Sequence, residues 1–223
     1  MEDLESNSDR VHRLRRLDCC AVSDALDRLG LSGVVTGLLQ QSGTSVIAGS
    51  VVTLKLGAGD ASAGSPVHLG CTAIELSGVD NVIVVEQAAG VDAGSWGGIL
   101  SLGARLKNIA GVVADGPVRD AHEAVRIGFP VFSRSTTART ARGRVVEKAT
   151  NVPVVIGDVT VSPGDFVIAD SSGVVFVSSA AIDAVLEAAE NIAAREAAMA
   201  KALLGGEQIS AVMGASYEQM LKR

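Results

Sequence analysis

The sequence predicts an α/β protein in layers, an α/β/β/α sandwich with a long C-terminal helix, and three observations predict it. Between residues 81 and 127, two strand-like apolar runs alternate with two helix-like stretches, the pattern of a parallel crossover core. After Pro130 the chain breaks into short β-branched runs separated by turn signals such as Pro163-Gly164 and Ser172-Gly173. From Ala180 to Leu204 a long amphipathic stretch ends at Gly205-Gly206, a suitable helix stop.

Taken in order, residues 1–8 read as a disordered polar tail, residues 9–206 as one domain, and residues 207–223 as a C-terminal helical tail. Helical spacing runs from Asp9 to Gly30, with Val11, Leu14 and Leu17, then Val22, Leu26 and Leu29. Ser23 is a candidate cap inside it and Gly30 a stop, so two short helices are expected. "TSVIAGSVVTLKL" (44–56) reads as one or two strands broken at Gly49, followed by a small-residue loop over 57–65. A short helix over 68–76 precedes the strand "NVIVVE" (81–86). The loop "QAAGVDAGSWGG" then leads to a helix over 99–108, whose Ile99, Leu102 and Leu106 fall at i, i+3 and i+7. A strand over 109–114, an Asp-Gly-Pro turn and a helix over 121–127 follow. "VFSRST", "GRVVEKA", "PVVIG", "VTVSPGDFVIAD" and "GVVFVS" are the late strands, with Asp165 and Asp170 as turn residues.

Hydrophobic residues make up 48% of the 223, enough for a full core, but aromatics are only 3%, so Val, Ala, Ile and Leu must fill it. A formal charge of −6 argues against binding nucleic acid by phosphate neutralisation. The basic run His12 to Arg16 reads as a solvated helix face. Cys19, Cys20 and Cys71 make no metal-ligand or CxxC spacing and read as reduced, buried thiols, a cytoplasmic signature. The acidic N-terminus is unlike a signal peptide, and no apolar run approaches the roughly 20 residues that span a bilayer. "LGAGDAS" has Ser62 where a dinucleotide fingerprint needs its third glycine, and no phosphate-binding P-loop motif occurs.

The chemistry-bearing residues sit in two segments. "SWGGIL" (95–100) places glycines ahead of an amphipathic helix, where unpaired backbone N–H groups bind anions; a tight loop-to-helix turn has the same pattern. Arg119 and Asp120 end the next strand. A guanidinium suits a carboxylate or an enolate oxygen, and a lone Asp suits Mg²⁺, which keeps most of its waters. If the intervening helix is a crossover, both segments finish on one edge of the sheet, where sites form in α/β folds.

"LDCCAVSDALDRLG", "AGSWGGILSLGARLKNIAGVVADGPVRD", "FPVFSR" and "NVPVVIGDVTVSPGDFVIADSSGVVFV" together resemble the RraA-like family. That family includes 4-hydroxy-4-methyl-2-oxoglutarate (4-carboxy-4-hydroxy-2-oxoadipate) aldolases and the regulator of ribonuclease E activity. The resemblance covers roughly residues 15–205, and its specific part runs from Trp96 to Asp120. It implies the family's swivelling β/β/α type of fold and a divalent-metal-dependent lyase. Amides of Gly97, Gly98, Ile99 and Leu100 would hold a pyruvate carboxylate, Arg119 would contact the keto or enolate oxygen, and Asp120 would anchor Mg²⁺ or Mn²⁺. It also implies a homotrimer or hexamer with the site between subunits, Glu196 being the candidate acid from a neighbour's C-terminal helix. Many members carry Asp or Glu where this chain has Gly98; Asp92 or Asp24 would have to compensate.

Other candidates have plainer readings. His12, His68 and His122 form no ligand spacing and read as surface or satisfied residues. Lys107 and Lys148 lie in no evident apolar pocket that would activate a Schiff-base amine. The resemblance implies cleavage of a 4-hydroxy-2-oxo acid, and/or decarboxylation of oxaloacetate, through a pyruvate enolate. The alternative is a non-catalytic regulator of a ribonuclease or helicase. No nucleic-acid or membrane partner is expected.

Overall fold

The computed structural model describes residues 6–59, 67–87 and 90–214. Helices α1 (Asn7–Leu14) and α2 (Cys19–Leu29) lead into β1 (Val34–Val35), β2 (Leu39–Ser42) and the 12-residue β3 (Ile47–Ala58). Three crossovers follow: α3 (Cys71–Leu76), β4 (Asn81–Glu86), α4 (Gly98–Leu106), β5 (Gly111–Val118), α5 (Ala121–Ile127) and β6 (Val131–Thr136). The remaining strands are β7 (Val145–Thr150), β8 (Val154–Ile156), β9 (Val159–Val161), β10 (Phe166–Asp170) and β11 (Gly173–Val177). The long α6 (Ile182–Leu204) and short α7 (Ile209–Val212) close the described chain.

Strands β3, β4, β5 and β6 are parallel neighbours, as the crossover pattern predicts. The main sheet runs β1-β11-β10-β3-β4-β5-β6-β2, with β7 also on β3 and β8–β9 a separate hairpin. Its two edge strands, β1 and β2, are joined by only residues 36–38. Three residues reach roughly 10 Å, so the sheet must curl until its edges nearly meet.

Side-chain alternation then sorts the core into layers. Val82, Val84, Val113, Val167, Val174 and Phe176 point inward, into a core capped by the β8–β9 hairpin. The outer face of β3 to β6 packs against α3, α4 and α5. The outer face of β10 and β11 packs against α1, α2 and α6. Helix, sheet wall, opposite wall, helix: these are the α/β/β/α layers the sequence predicts, made from one curled sheet.

Several local expectations are corrected. α1 starts at Asn7, within the expected tail, because Ser6 and Asp9 form a reciprocal capping box. The cap of α2 is Asp18, whose Oδ1 accepts from Ala21 N at 2.8 Å, and Ser23 lies inside the helix. β3 runs unbroken through Gly49, where a Cβ would meet Asp80 O at 2.8 Å; the glycine serves close approach rather than a break. It also continues to Ala58, so the expected loop begins later, and residues 60–66 of it lie outside the described residues. The Asp-Gly-Pro segment is no turn. β5 passes through it with a register shift between Ala114 and Pro117, and such a bulge is where an interior strand tolerates proline. Of the cysteines, all free, only Cys19 is buried, and Cys20 is exposed.

Of the basic run, Arg13 grips Glu190 bidentately at 2.8 Å, while Arg10 just ahead of it grips Asp183 at 2.6 and 2.7 Å. These arginines dock α1 on α6. The C-terminal tail is described only to residue 214.

Candidate active site

The loop after β4 and the end of β5 lie on the same edge of the sheet, and hydrogen bonds stitch them together. Ser95 donates to Pro117 O through both N and Oγ, each at 2.8 Å, and Arg119 N donates to Trp96 O at 2.9 Å. Upstream, the buried Gln87 amide donates to Val91 O and Ala93 O at 2.9 and 3.0 Å. Trp96 is fixed in turn: its Nε1 donates to Ser101 Oγ at 3.0 Å, and that hydroxyl donates to Gly97 O at 3.0 Å.

Glycines set how closely the segments approach. A Cβ on Gly94 would lie 2.9 Å from Arg119 Cγ, and one on Gly97 would lie 3.3 Å from the same atom. The Arg119 stem therefore runs over a bed of bare backbone. Its Nε lies 3.1 Å from Asp120 Oδ2, and among the described residues its terminal nitrogens have no partner. Those nitrogens are available to a ligand.

Asp120 adopts a left-handed conformation, φ 57° and ψ 30°, which Asp tolerates better than most residues. It makes no cap bond to its own helix. Instead Oδ2 accepts from Gly98 N at 3.3 Å, leaving Oδ1 without a protein partner among the described residues. The amides of Ile99 and Leu100 fall ahead of the first intrahelical bond of α4, Ser101 N to Gly97 O at 3.0 Å, so they remain available to an anion.

These groups line a cavity of about 260 Å³. Gly97 to Leu100, Arg119 and Asp120 line it, together with His68 and two residues the sequence did not single out, Thr140 and Arg142. His68 had read as a surface residue; it is exposed, but at the cavity mouth. Lys107 is elsewhere, its Nζ donating to Ile74 O and Glu75 O at the end of α3. Lys148 lies over Gly57 on β7.

The acids expected to assist do not join this constellation within one chain. Asp92 is on the loop but pairs with Arg139 at 3.1 Å, both well exposed. Asp24 lies on α2 and Glu196 on α6, two helices that pack together. Burial, then Asp27 and Asp18, raises the Asp24 pKa; burial, then Asp18 and Asp24, raises that of Glu196. Besides Asp120, the carboxylate that does reach Gly98 is one the sequence reading missed. Glu123 Oε2 lies 1.9 Å from where a Cβ on residue 98 would be. Its signal was its place three residues after Asp120, in the same first helical turn.

Among the described residues no group of three or more His, Cys, Asp or Glu converges as a metal cage. A magnesium-type site does not need one, since Mg²⁺ takes one or two carboxylates and fills its remaining positions with water and substrate oxygens. The open Oδ1 of Asp120, beside a cavity with anion-binding amides, fits that donor set.

The model of the RraA-like family, described as Aldolase/RraA, matches residues 19–176. A relative from Halalkalibacterium halodurans named "Putative 4-hydroxy-4-methyl-2-oxoglutarate aldolase" is 28% identical over 200 residues, 89% of this chain and 90% of that protein. The crystal structure of an uncharacterized protein from Pseudomonas syringae superimposes with a TM-score of 0.82 at 27% identity, covering 93% of this chain and 98% of the other. That of Streptomyces coelicolor RraAS2, titled an unusual member of the RNase ES inhibitor RraA family, superimposes at 0.76 with 26% identity, covering 86% and 96%. With the family model matching more than half of its length, and the layered fold shared with these structures, the chain belongs to the RraA-like family.

Proposed function

We propose that this protein is a divalent-metal-dependent lyase that cleaves a 4-hydroxy-2-oxo acid of the 4-hydroxy-4-methyl-2-oxoglutarate type to pyruvate, and decarboxylates oxaloacetate. One observation carries the reading: Arg119 and Asp120 meet the open amides at the start of α4 in one cavity. A surface that only docks a protein has no need of that convergence.

The substrate carboxylate is received at the Gly97–Leu100 segment by the open amides of Ile99 and Leu100, Gly98 N being held by Asp120; these amides cost no reorganisation because the helix has already fixed them. Arg119 directs its terminal nitrogens at the 2-keto oxygen. In retro-aldol cleavage the C3–C4 bond breaks, its electron pair stays on C3 as pyruvate enolate, and the 4-hydroxyl proton passes to solvent water in the cavity as that carbon becomes a carbonyl. In decarboxylation the same C3–C4 bond breaks and CO₂ departs. The negative charge that gathers on the keto oxygen faces the Arg119 guanidinium in both cases. Asp120 would hold Mg²⁺ or Mn²⁺, which when bound supplies further positive charge for that oxygen. Protonation of the enolate at C3 gives pyruvate.

The family relationship supports assembly as a homotrimer or hexamer, with Glu196 of one chain approaching the site of the next. The exposed Ile99, Leu102 and Leu106 beside the site fit such a contact. Light scattering on the purified protein reads the assembly directly. Among the described residues no helix is long and apolar enough to cross a membrane, and the three free cysteines fit a reducing cytoplasm.

Asp120→Asn preserves shape and removes the charge, so Mg²⁺-dependent pyruvate release should fall on the order of 10²-fold or more. A wild-type rate in that variant sinks the assignment. RraAS2 favours a second reading, a non-catalytic ribonuclease regulator. No pyruvate from either substrate, with Mg²⁺ present, decides for the regulator.

A further inference from the structure

Retro-aldol cleavage differs from decarboxylation by one proton: the 4-hydroxyl must lose its hydrogen, and a departing carboxylate has none to lose. Water alone is a weak acceptor, so a positioned base speeds that step, by roughly 10²–10⁴-fold in favourable cases. The residues that line the cavity narrow the choice. Arginine is always charged and cannot accept, which removes Arg119 and Arg142. Trp96 Nε1 is a donor only, already spent on Ser101 Oγ. Asp120 Oδ2 is taken by Gly98 N and Arg119 Nε, and Oδ1 is the metal ligand of the reading above. Glu123 fills the space beside Gly98 and is not among the residues that line the cavity. His68 does line it.

The surroundings of His68 set which ring nitrogen is free. Its Nδ1 lies 2.9 Å from Leu69 O, and a carbonyl oxygen only accepts, so Nδ1 carries the hydrogen and the neutral ring keeps its lone pair on Nε2. The backbone beyond it is tied to the site. His68 O accepts from Cys71 N at 3.2 Å, and Gly70 N donates to Glu147 Oε2 at 2.9 Å. Gly70 is left-handed at φ 83°, and a Cβ there would meet Leu100 Cδ1 at 3.3 Å and Trp96 Cζ3 at 3.4 Å. The turn that carries the imidazole thus rests on Trp96 and Leu100, which bracket Gly97 to Ile99.

We infer that His68 is the general base of aldol cleavage, taking the 4-hydroxyl proton through one cavity water; the inference rests on the lyase reading above. As the C3–C4 bond breaks, the O–H electron pair becomes the new carbonyl bond, and the proton moves from hydroxyl to water and from water to Nε2. His68 is exposed at the cavity mouth, so its imidazolium returns the proton to bulk water, from which C3 of the enolate is protonated. Decarboxylation passes through the same enolate and needs no such base.

Rates of retro-aldol cleavage and of oxaloacetate decarboxylation in His68→Gln and His68→Ala, with Mg²⁺ present, test this. Aldol kcat should fall about 10²-fold in both variants, while decarboxylation stays within roughly twofold of wild type. Oxalate binding, read by Trp96 fluorescence, should not change. Imidazole added to His68→Ala should restore aldol turnover as its concentration rises, and His68→Gln, whose side chain fills the space, should stay slow. Equal losses in both reactions, or no loss in either, overturn the base and leave the lyase reading standing. So does a loss of aldol cleavage that tracks weaker oxalate binding. A wild type that runs neither reaction removes the lyase reading itself, and the base with it.

Discussion

Arg119 is held by what its neighbours lack. Its stem lies on Gly94 and Gly97, and its Nε is taken by Asp120, so only the terminal nitrogens face the cavity. Lysine would keep the charge and lose the planar fork. Arg119→Lys should therefore weaken oxalate, a pyruvate-enolate mimic, by roughly tenfold or more, given the typical worth of a charge-assisted bond. The readout is Trp96, buried and bordering the cavity; its fluorescence should shift on oxalate binding with Mg²⁺ present. No shift at saturating oxalate would move the anion site elsewhere. Position 98 yields a different expectation from the one its sequence invites. Aspartate there reads as the return of a missing acid, yet its Cβ would enter the space of the Glu123 carboxylate. Gly98→Asp should consequently bring no gain in retro-aldol turnover, and a clear gain would show that Glu123 yields its place without cost.

At the scale of elements, α4 shows where periodicity informs and where it misleads. Ile99, Leu102 and Leu106 mark a helix correctly, but they are 80%, 43% and 76% exposed, while Leu100, Ser101 and Ala104 face the sheet. Gly98, Ser101 and Ala104 on the inner face let the helix lie close to β4 and β5, with Leu100 as the one large apolar residue among the buried positions. The β8–β9 hairpin shows the reverse case, an element of ordinary sequence held by two distant carboxylates, one of them Glu86, whose Oε2 accepts from Val155 N at 2.7 Å. Asp115 Oδ1 accepts from Arg134 Nε and its Oδ2 from Gly157 N, both at 2.6 Å, and Arg134 also donates to Thr36 O between the two sheet edges. Asp115→Ala removes one of the hairpin's two tethers and the support of the edge connection together. It should cost about 2–3 kcal/mol, the range for hydrogen bonds to a charged group, seen as a lower urea midpoint. A midpoint equal to wild type would mean that the Glu86 bond and apolar packing suffice to hold the hairpin.

Across the whole molecule, charge links the helical layer of α1, α2 and α6 to pH in two opposing ways. Hydrogen bonds from Arg10 and Arg13 hold Asp183 and Glu190 below their ordinary pKa values. A depressed carboxylate contributes stability above its unfolded pKa, near 4, and loses it as pH falls through the folded value. Asp24 and Glu196 are raised instead, so they bind a proton more tightly when folded and their ionised forms disfavour the fold at neutral pH. Glu196→Gln should raise Tm modestly at pH 7, since the group is largely solvent-screened, and the difference should vanish near pH 4. Asp183→Asn should lower Tm at pH 7 and match wild type below about pH 3. Thermal scans across pH 3–7 on both variants check the signs; a Glu196→Gln protein less stable at pH 7 would mean that its carboxylate has a favourable partner.

Much of this protein was determined within short windows of sequence. The parallel crossovers, the long helix stopped before Gly205-Gly206 and the stop at Gly30, in left-handed conformation at φ 67°, depend on periodicity and backbone freedom a few residues wide. So does the placing of Arg119 and Asp120 at a strand end, beside the loop that carries Gly97 and Gly98. What only the tertiary structure decided involves residues far apart. Strand β1, two valines, is too short and β2, Leu-Gln-Gln-Ser, too polar to announce itself, and both exist because a curling sheet brings β11 and β6 to them. The bulge at Pro117 depends on register with β6. Which face of α4 is buried, and that Glu123 rather than Asp92 or Asp24 reaches Gly98, follow from how closely two helices pack across the sheet edge. Local chemistry sets the elements, but a contact made by the absence of a side chain leaves no mark until its neighbour is in place.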